Sequence, residues 1–545
     1  MNKEKKSLKR PLDDDSDSSD EESALSDEEK MEFFEESSES EPDLECDIWD
    51  DDCKVISKNF IDSHIIGRHL MPTCSRNPEE HLCKKMKPTV EINAHLANAP
   101  FIQKFKECFK SNTHFLDEHF ELISKPFRVC VFNNFLDNPD ILKEVRQEFY
   151  ELDWNNRNMD LYEFFQSKDL KYLTSDNIKT IHSFLETTVM PWVSELTGFE
   201  LTHISTTCSL YSNTDYLLVH DDQREDRKVA FVLYLTNDNG WNKSKGGALQ
   251  LLNKDEAGQP LDVVRDILPA NNQLVIFPVA NDSYHQVAEV TSLNDCRMSI
   301  NGWFHTKVPP VFDIPEYKPT DSALYGDHYS KAREVDIDLH SWICDDYLDD
   351  QSIKVIQQHI EDNSEISLKN YLKQEPFNEI LKTLKSDEVT WKRQGPSNRY
   401  NYEVLDLTNL PYILDRCISL FQSTEMFSML HRYTDLELTS PTAVMKFEFQ
   451  RWTPGCYSLL TDYNWQKRNE LDLIMYFGCK SASSVIGART QYVTIEDEVQ
   501  NALITLEPEE NNLNIVYRDS ARFTKYFSKQ SRCQEFYTLI CSYCE

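Results

Sequence analysis

Four side chains near the middle of the chain have the types and spacing of a metal-dependent oxidation site. His220 and Asp222 form a His-x-Asp pair, and His285 and Arg297 follow later in the chain. Because strand side chains alternate with period two, we expect His220 and Asp222 to share one face of a strand. Two histidines and one carboxylate suit non-haem Fe(II) and leave coordination positions for a co-substrate and O2. Arg297 could hold the distal carboxylate of a 2-oxo acid in a bidentate pair.

The segments around these side chains have the composition of short strands. Apolar and β-branched runs alternate with Asn, Gly and Asp, at 211–220, 227–236, 246–252 and 273–278. This succession predicts a double-stranded β-helix, a relative of the jelly roll. The alternative is a β-sandwich in which the same histidines and aspartate only make hydrogen bonds. The types, order and strand context of the three side chains favour the metal site.

Five short motifs carry a resemblance to a known family. They are HDD at 220–222, GGAL at 246–249, FP at 277–278, HQV at 285–287 and RMSINGWFH at 297–305. Over residues 99–545 the chain resembles the eukaryotic ribosomal prolyl 3-hydroxylase family of 2-oxoglutarate- and Fe(II)-dependent oxygenases. The resemblance implies that the iron ligands are His220, Asp222 and His285. It further implies that Arg297 and Tyr211 hold 2-oxoglutarate, and that O2 and L-ascorbate take part.

We therefore predict an α+β, β-rich fold with two tandem double-stranded β-helix (jelly-roll-like) domains buttressed by helices. A disordered acidic N-terminal tail is expected to precede them. A helical stretch is expected at 176–197, with Pro191 kinking or dividing it. The predicted parts are a tail at 1–98, a catalytic domain at 99–307, a Pro-rich linker at 308–335 and a non-catalytic degenerate domain at 336–545.

The second half repeats the first weakly and lacks the ligands. Thr461 and Tyr463 stand where the histidine and aspartate would be needed, and no histidine follows His431. We therefore expect one metal site in the chain. Arg532 takes the place of Arg297 in this comparison and is expected to form a structural ion pair. In the first half, His203 and Tyr234 are expected to be structural.

Charge and cysteine content limit the partners and the compartment. Residues 13–52 hold 21 Asp or Glu and one Lys, which accounts for over half of the formal net charge of −36. Such a segment stays unfolded, and the acidic balance disfavours direct binding of nucleic acid. The 15 scattered cysteines indicate a reducing compartment, and no apolar run suits a membrane span. Basic residues at 3–10 could direct nuclear import, so we expect a cytoplasmic and nuclear protein.

The resemblance implies a protein prolyl 3-hydroxylase acting on a small-subunit ribosomal protein at the decoding centre, with an effect on translation. One alternative is the same oxygenase chemistry on another protein target, as a lysyl hydroxylase or a demethylase. Another is an iron-independent scaffold that binds translation factors or messenger ribonucleoprotein. Replacement of His220 by alanine would separate these functions, because a scaffold does not need the iron ligand.

Overall fold

The computed structural model describes residues 89–236, 240–312, 329–460, 470–496 and 499–545. The predicted tail therefore lies outside the described residues up to position 88. Regular structure begins before position 99, because Ile92 bridges Leu136 and a short helix follows at once. Most of the predicted linker also lies outside the described residues, so its bounds stay a prediction. Within the described residues, none of the helices has the length and apolar character that crossing a membrane requires.

Helices of the first half precede the strands that carry the candidate site. The predicted helical stretch at 176–197 forms, with a π-helical turn at Leu185–Val189 just before Pro191. Proline lacks an N–H and crowds the preceding turn, so the wider turn accommodates it. The helices are α1 (Ala94–Ala97), α2 (Ala99–Ser111), α3 (Asp140–Phe149), α4 (Asp176–Phe184) and α5 (Met190–Thr197).

The strands of the first half form one continuous sheet that folds into a barrel. Its strand order is β1-β2-β3-β11-β8-β13-β6-β5-β7-β12-β9-β10, with β4 paired to β5. The strands are β1 (Phe115–Leu116), β2 (Phe120–Ile123), β3 (Val129–Phe132), β4 (Asn155–Asn158), β5 (Tyr162–Gln166), β6 (His203–Tyr211), β7 (Tyr216–His220), β8 (Arg227–Tyr234), β9 (Leu249–Lys254), β10 (Pro260–Ile267), β11 (Leu274–Pro278), β12 (His285–Val287) and β13 (Arg297–His305). Apolar side chains from β3, β8, β9 and β11 meet in one buried cluster inside it.

The second half has its own helices and two further sheets. Its helices are α6 (Leu339–Trp342), α7 (Asp350–Asn363), α8 (Gln374–Leu384), α9 (Tyr412–Phe421) and α10 (Thr424–Thr434). Its strands are β14 (Ser330–Lys331), β15 (Glu365–Leu368), β16 (Trp391–Arg393), β17 (Tyr400–Asn401), β18 (Glu403–Leu405), β19 (Val444–Trp452), β20 (Tyr457–Ser458), β21 (Glu470–Phe477), β22 (Thr490–Glu496), β23 (Val499–Leu506), β24 (Leu513–Arg518), β25 (Ala521–Thr524) and β26 (Phe536–Cys544).

The strand order of the second half repeats that of the first. The path β3-β11-β8-β13-β6-β5-β7-β12-β9-β10 corresponds to β15-β24-β21-β26-β19-β18 followed by β17-β20-β25-β22-β23. In this correspondence β18 and β17 together take the place of β5, because β18 pairs with β19 and β17 pairs with β20. The corresponding strands also follow one another in the same order along the chain. The fold is thus two tandem double-stranded β-helices buttressed by helices, as the sequence predicts.

A buried carboxylate joins the two barrels. Glu289 follows β12 and is 2% exposed. Its oxygens accept hydrogen bonds from the hydroxyls of Ser528 and Tyr526 and, at 2.8 Å, from the backbone N–H of Lys529. Burial raises the pKa of Glu289, and these donors oppose the rise. The second barrel therefore contacts the segment that directly follows the strand beginning with His285.

We expect Glu289→Ala to destabilise the protein by about 2 kcal/mol, because it leaves buried donors without an acceptor. The measurement is the midpoint of urea unfolding. Glu195→Ala is the matched control, because Glu195 pairs with Lys106 at the surface. Equal midpoints for the two variants would show that the buried contact contributes nothing to stability.

Candidate active site

The structure brings the three predicted metal ligands together. His220 ends β7, His285 begins β12, and the two residues are direct partners across these strands. Nε2 of His220 lies 3.6 Å from Oδ1 of Asp222, and Nε2 of His285 lies 3.4 Å from Oδ2. Asp222 is 7% and His285 5% exposed. The arrangement presents two nitrogens and a carboxylate within 4.8 Å of one another.

Asp222 reaches this position by a turn and not by strand alternation. The strand ends at His220, and Asp222 has a left-handed backbone conformation with φ of 62°. The expectation that His220 and Asp222 share a strand face is therefore wrong, although the two side chains do converge. Asp221 faces elsewhere, and its carboxylate accepts hydrogen bonds from the backbone and side-chain nitrogens of Gln223.

Both imidazoles are oriented by backbone carbonyls. Nδ1 of His220 lies 2.8 Å from the carbonyl oxygen of Leu218, and Nδ1 of His285 lies 2.8 Å from that of Ser283. A carbonyl oxygen only accepts, so each Nδ1 carries the proton and each Nε2 presents a lone pair toward Asp222. This is the arrangement by which outer contacts orient histidine ligands toward a metal.

The electrostatics of the site favour the metal-binding protonation states. Burial, and then the neighbouring His285, lower the pKa of His220 to about 4, so its ring is neutral at pH 7. Burial alone would raise the pKa of Asp222. The interactions with His285, His220 and the Arg227 guanidinium outweigh it, so the net shift is downward and the carboxylate is ionised.

Arg297 is a buried cation at the start of β13, in the same sheet as these side chains. It is 2% exposed, and Nη2 donates to the hydroxyl of Tyr234 at 3.3 Å. Its Nε has no hydrogen-bond partner, and no carboxylate forms an ion pair with it among the residues that the structure describes. A buried guanidinium without an anion is costly. The residues present therefore fit a ligand that brings its own carboxylate.

Two tyrosines frame this guanidinium. Tyr211 is the direct partner of Arg297 across β6 and β13, and its ring centre lies 4.8 Å from the guanidinium carbon. The ring of Phe164 stacks on Tyr211 at 4.7 Å. Tyr234 lies 5.0 Å from the same carbon. We expected Tyr234 to be structural. It does pack in the barrel interior, and it also contacts Arg297.

Comparison with known proteins identifies the family. A model described as the 2OG-Fe(II) oxygenase superfamily matches residues 206–305, and one described as the oxoglutarate and iron-dependent oxygenase degradation C-terminal domain matches 334–544. Prolyl 3-hydroxylase sudestada1 of Drosophila melanogaster is 35% identical over 460 residues, which cover 78% of this chain and 84% of the relative. The chain belongs to this prolyl 3-hydroxylase family. The mouse prolyl 3-hydroxylase OGFOD1 is 31% identical over 520 residues, covering 82% and 93% of the two chains.

Membership makes the chain a 2-oxoglutarate- and Fe(II)-dependent oxygenase, and the donor set agrees with that chemistry. Two imidazole nitrogens and one carboxylate are the set that non-haem Fe(II) oxygenases use. Among solved structures, a prolyl-4-hydroxylase from Pseudomonas putida covers 31% of the chain with 20% identity and a TM-score of 0.26. The fold assignment above rests on the sheet pairing and not on this likeness.

Among the described residues, the interior of the second barrel holds a buried ion network. Gly246 bridges Val290, and Gly487 bridges Phe527 in the same way. Counted back along the chain from Phe527 and Val290, Arg522 takes the position in the second barrel that His285 takes in the first. Its guanidinium pairs with Asp472, which is fully buried.

Two hydroxyl groups also belong to this network. The hydroxyls of Tyr492 and Ser542 both donate to Asp472. Burial alone would raise the pKa of Asp472, but Arg522 and Arg518 outweigh it and lower the pKa. A protein cation thus neutralises the buried carboxylate in the second barrel.

The comparison between barrels corrects one assignment from the sequence. Arg297 begins β13 and pairs with Tyr211, whereas Phe536 begins β26 and pairs with Trp452. Phe536 therefore takes the place of Arg297, and Arg532 lies before the strand with an exposed side chain. Its structural ion pair stays a prediction. Thr461 and Tyr463 lie outside the described residues.

We expect Asp472→Asn to destabilise the protein by about 3 kcal/mol, because it leaves a buried arginine without its counter-charge. The iron affinity of the first barrel should not change. Urea unfolding and iron titration of the same samples measure the two effects. Asp345→Asn is the matched control, because the Asp345–Lys373 pair lies at the surface and should leave unfolding unaltered.

Proposed function

We propose that this oxygenase hydroxylates C3 of a proline in a small-subunit ribosomal protein at the decoding centre, and thereby affects translation. The observation that carries the proposal is the pair of relatives above, both named prolyl 3-hydroxylase and both matched over most of their length. The ribosomal target comes from the motif resemblance described in the sequence analysis. The geometry supports the reaction class, because the three ligand side chains and a buried cation lie in one barrel.

In this proposal His220, Asp222 and His285 hold Fe(II), and Arg297 and Tyr211 hold 2-oxoglutarate. Bound together, these groups supply oxidation of a C–H bond by O2, with 2-oxoglutarate converted to succinate and CO2. L-Ascorbate is the proposed reductant that keeps iron in the ferrous state. Arg297 takes the distal carboxylate, since its fork geometry matches a carboxylate bidentately.

The protein's own contribution is orientation and exclusion of water. The carbonyls of Leu218 and Ser283 fix the two imidazole rings. The ring of Phe277 meets His285 edge-on at 4.8 Å and covers one side of the ligand. Burial raises the pKa of Tyr211 above its ordinary value, so its hydroxyl keeps the proton and can donate to a co-substrate oxygen.

The acidic segment at 13–52 suits a basic partner such as a ribosomal protein. We propose that it raises the local concentration of the substrate by long-range attraction, which falls with ionic strength. The basic residues at 3–10 are the proposed nuclear import signal. The enzyme would then meet its target in both nucleus and cytoplasm.

The test is a coupled assay of the purified full chain with Fe(II), 2-oxoglutarate and ascorbate. The substrate is a peptide from the decoding-centre protein, beside the same peptide with its proline replaced by alanine. We expect succinate in step with one added oxygen on the proline, and none from His220→Ala. Nuclear magnetic resonance of the hydrolysed product identifies the ring carbon.

Each other result removes a defined part of the proposal. Succinate without peptide oxidation keeps the oxygenase and rejects this target, leaving lysyl hydroxylation or demethylation to be tried on other peptides. Hydroxylation at C4 rejects the assigned position. No succinate from iron-loaded protein rejects the enzyme and favours a scaffold.

A further inference from the structure

A second histidine–aspartate–histidine cluster lies in the first barrel, apart from the proposed iron site. His203 begins β6 and His305 ends β13, and the two are direct partners across these strands. Arg297 and Tyr211 occupy the opposite ends of the same two strands. Asp226 comes from the loop that precedes β8. Three separate segments therefore bring these side chains to one place.

The geometry of the cluster suits a metal ion. Nε2 of His203 lies 3.6 Å from Oδ2 of Asp226, and Nδ1 of His305 lies 2.7 Å from Oδ1. The ligand atoms of the three side chains lie within 4.8 Å of one another. The two imidazole rings stack with centres 4.4 Å apart and planes 10° apart. A single ion could contact both rings and the carboxylate with small side-chain adjustments.

In each ring, the nitrogen that faces away from Asp226 has a hydroxyl partner. Nδ1 of His203 lies 3.1 Å from Oγ1 of Thr202, and Nε2 of His305 lies 2.8 Å from Oγ of Ser205. Each hydroxyl can accept a hydrogen bond from the N–H of the ring nitrogen that faces away from Asp226, which leaves a lone pair on the nitrogen that faces it. Such outer contacts orient the histidines of metal sites, and the proposed iron site has the same feature with carbonyls.

Exposure falls in steps across the cluster. The side chains of His203, Asp226 and His305 are 56%, 27% and 7% exposed. One side of the cluster is therefore buried and fixed, and the other is open for a metal and water to enter. Two nitrogens, one carboxylate oxygen and a water make the tetrahedral set that Zn²⁺ prefers.

We propose that His203, Asp226 and His305 form a second metal site that binds Zn²⁺. This departs from the sequence expectation of one metal site in the chain and of a structural role for His203. The bound ion fixes Asp226, which is four residues from Asp222 in the same loop. Arg227 directly follows Asp226 in sequence, and its guanidinium covers the ring of Trp303 at 3.5 Å. Zinc binding therefore stiffens the loop that presents the aspartate of the iron site.

The test uses the full chain, stripped of metal and titrated with Zn²⁺ alone by calorimetry and with Co²⁺ alone by visible absorption. A His220→Ala/His285→Ala background removes the iron site. We expect one equivalent of tight binding in this background and two in the wild type. Adding His203→Ala should weaken zinc binding at the remaining site by ~100-fold or more. Loss of a residue that only hydrogen-bonds to a metal ligand already costs ~10- to 100-fold in metal affinity.

His95→Ala is the matched control. His95 lies 3.3 Å from Asp117, and its ring centre is 5.1 Å from that of His119, yet these residues do not form a ligand set. This variant should bind zinc as its parent does. If the double variant does not fold, the same question is put to the wild type, in which His203→Ala should lower the stoichiometry from two to one. Binding that is absent, or that survives His203→Ala, overturns the proposal.

Discussion

Replacement of His285 by alanine is expected to abolish succinate formation and to weaken Fe(II) binding by more than ~100-fold. His285 supplies one of the three ligand atoms. Loss of a residue that only hydrogen-bonds to a ligand already costs ~10- to 100-fold in metal affinity, so loss of the ligand itself should cost more. Its two ring nitrogens face the Ser283 carbonyl and Asp222. Anaerobic iron titration and succinate assay of the same sample provide the measurement.

His359→Ala is the control for this substitution. His359 lies on α7 in the second half with an exposed side chain, so both readouts should match the wild type. Circular dichroism shows whether His285→Ala has kept its fold. A folded variant that still bound iron with wild-type affinity would contradict the assignment of His285 as a ligand.

Replacement of Arg297 by methionine is expected to raise the KM for 2-oxoglutarate by ~100-fold, with a smaller change in kcat. Removal of one partner of a buried charge pair costs about 3 kcal/mol, which corresponds to roughly two powers of ten in affinity. Arg297→Lys should recover only part of the loss, because lysine keeps the charge without the planar fork. Initial rates at varied 2-oxoglutarate give both constants.

Stability measurements separate this role from a structural one. Without co-substrate, Arg297 is a buried cation with no anionic partner among the described residues, so Arg297→Met should be at least as stable as the wild type. 2-Oxoglutarate should raise the Tm of the wild type and leave that of the variant unchanged. Arg265→Ala, which breaks a surface pair with Glu121, is the control. An unaltered KM for Arg297→Met would show that the anchor lies elsewhere.

The sequence predicted the parts of the site that depend on strand content and ligand type. The apolar run at 211–220 predicted a strand leading into His220, and His285 and Arg297 were expected on later strands. The structure has all three on strands, each at a strand end. The tandem fold was also predictable, because both halves carry the same succession of strands. These features follow from local composition, which a single sequence contains.

Other features depend on contacts that no local pattern reveals. Asp222 joins the ligands through a left-handed backbone, which is uncommon for a residue other than glycine. Tyr234 contacts Arg297 only because β8 lies beside β13. His203 and His305 are about one hundred positions apart and meet through the pairing of β6 with β13. A local backbone conformation decides the first case, and long-range sheet pairing decides the other two.

The most direct test of the account is anaerobic spectroscopy of Fe(II) and 2-oxoglutarate binding to the purified chain. Chelation of Fe(II) by 2-oxoglutarate gives a visible charge-transfer band, which reports only the iron that the co-substrate contacts. The account predicts a band that saturates at one iron per chain, that is lost in Asp222→Ala, and that needs far more 2-oxoglutarate in Arg297→Met. Wild-type protein that bound iron and gave no band, or a band that survived Asp222→Ala, would contradict it.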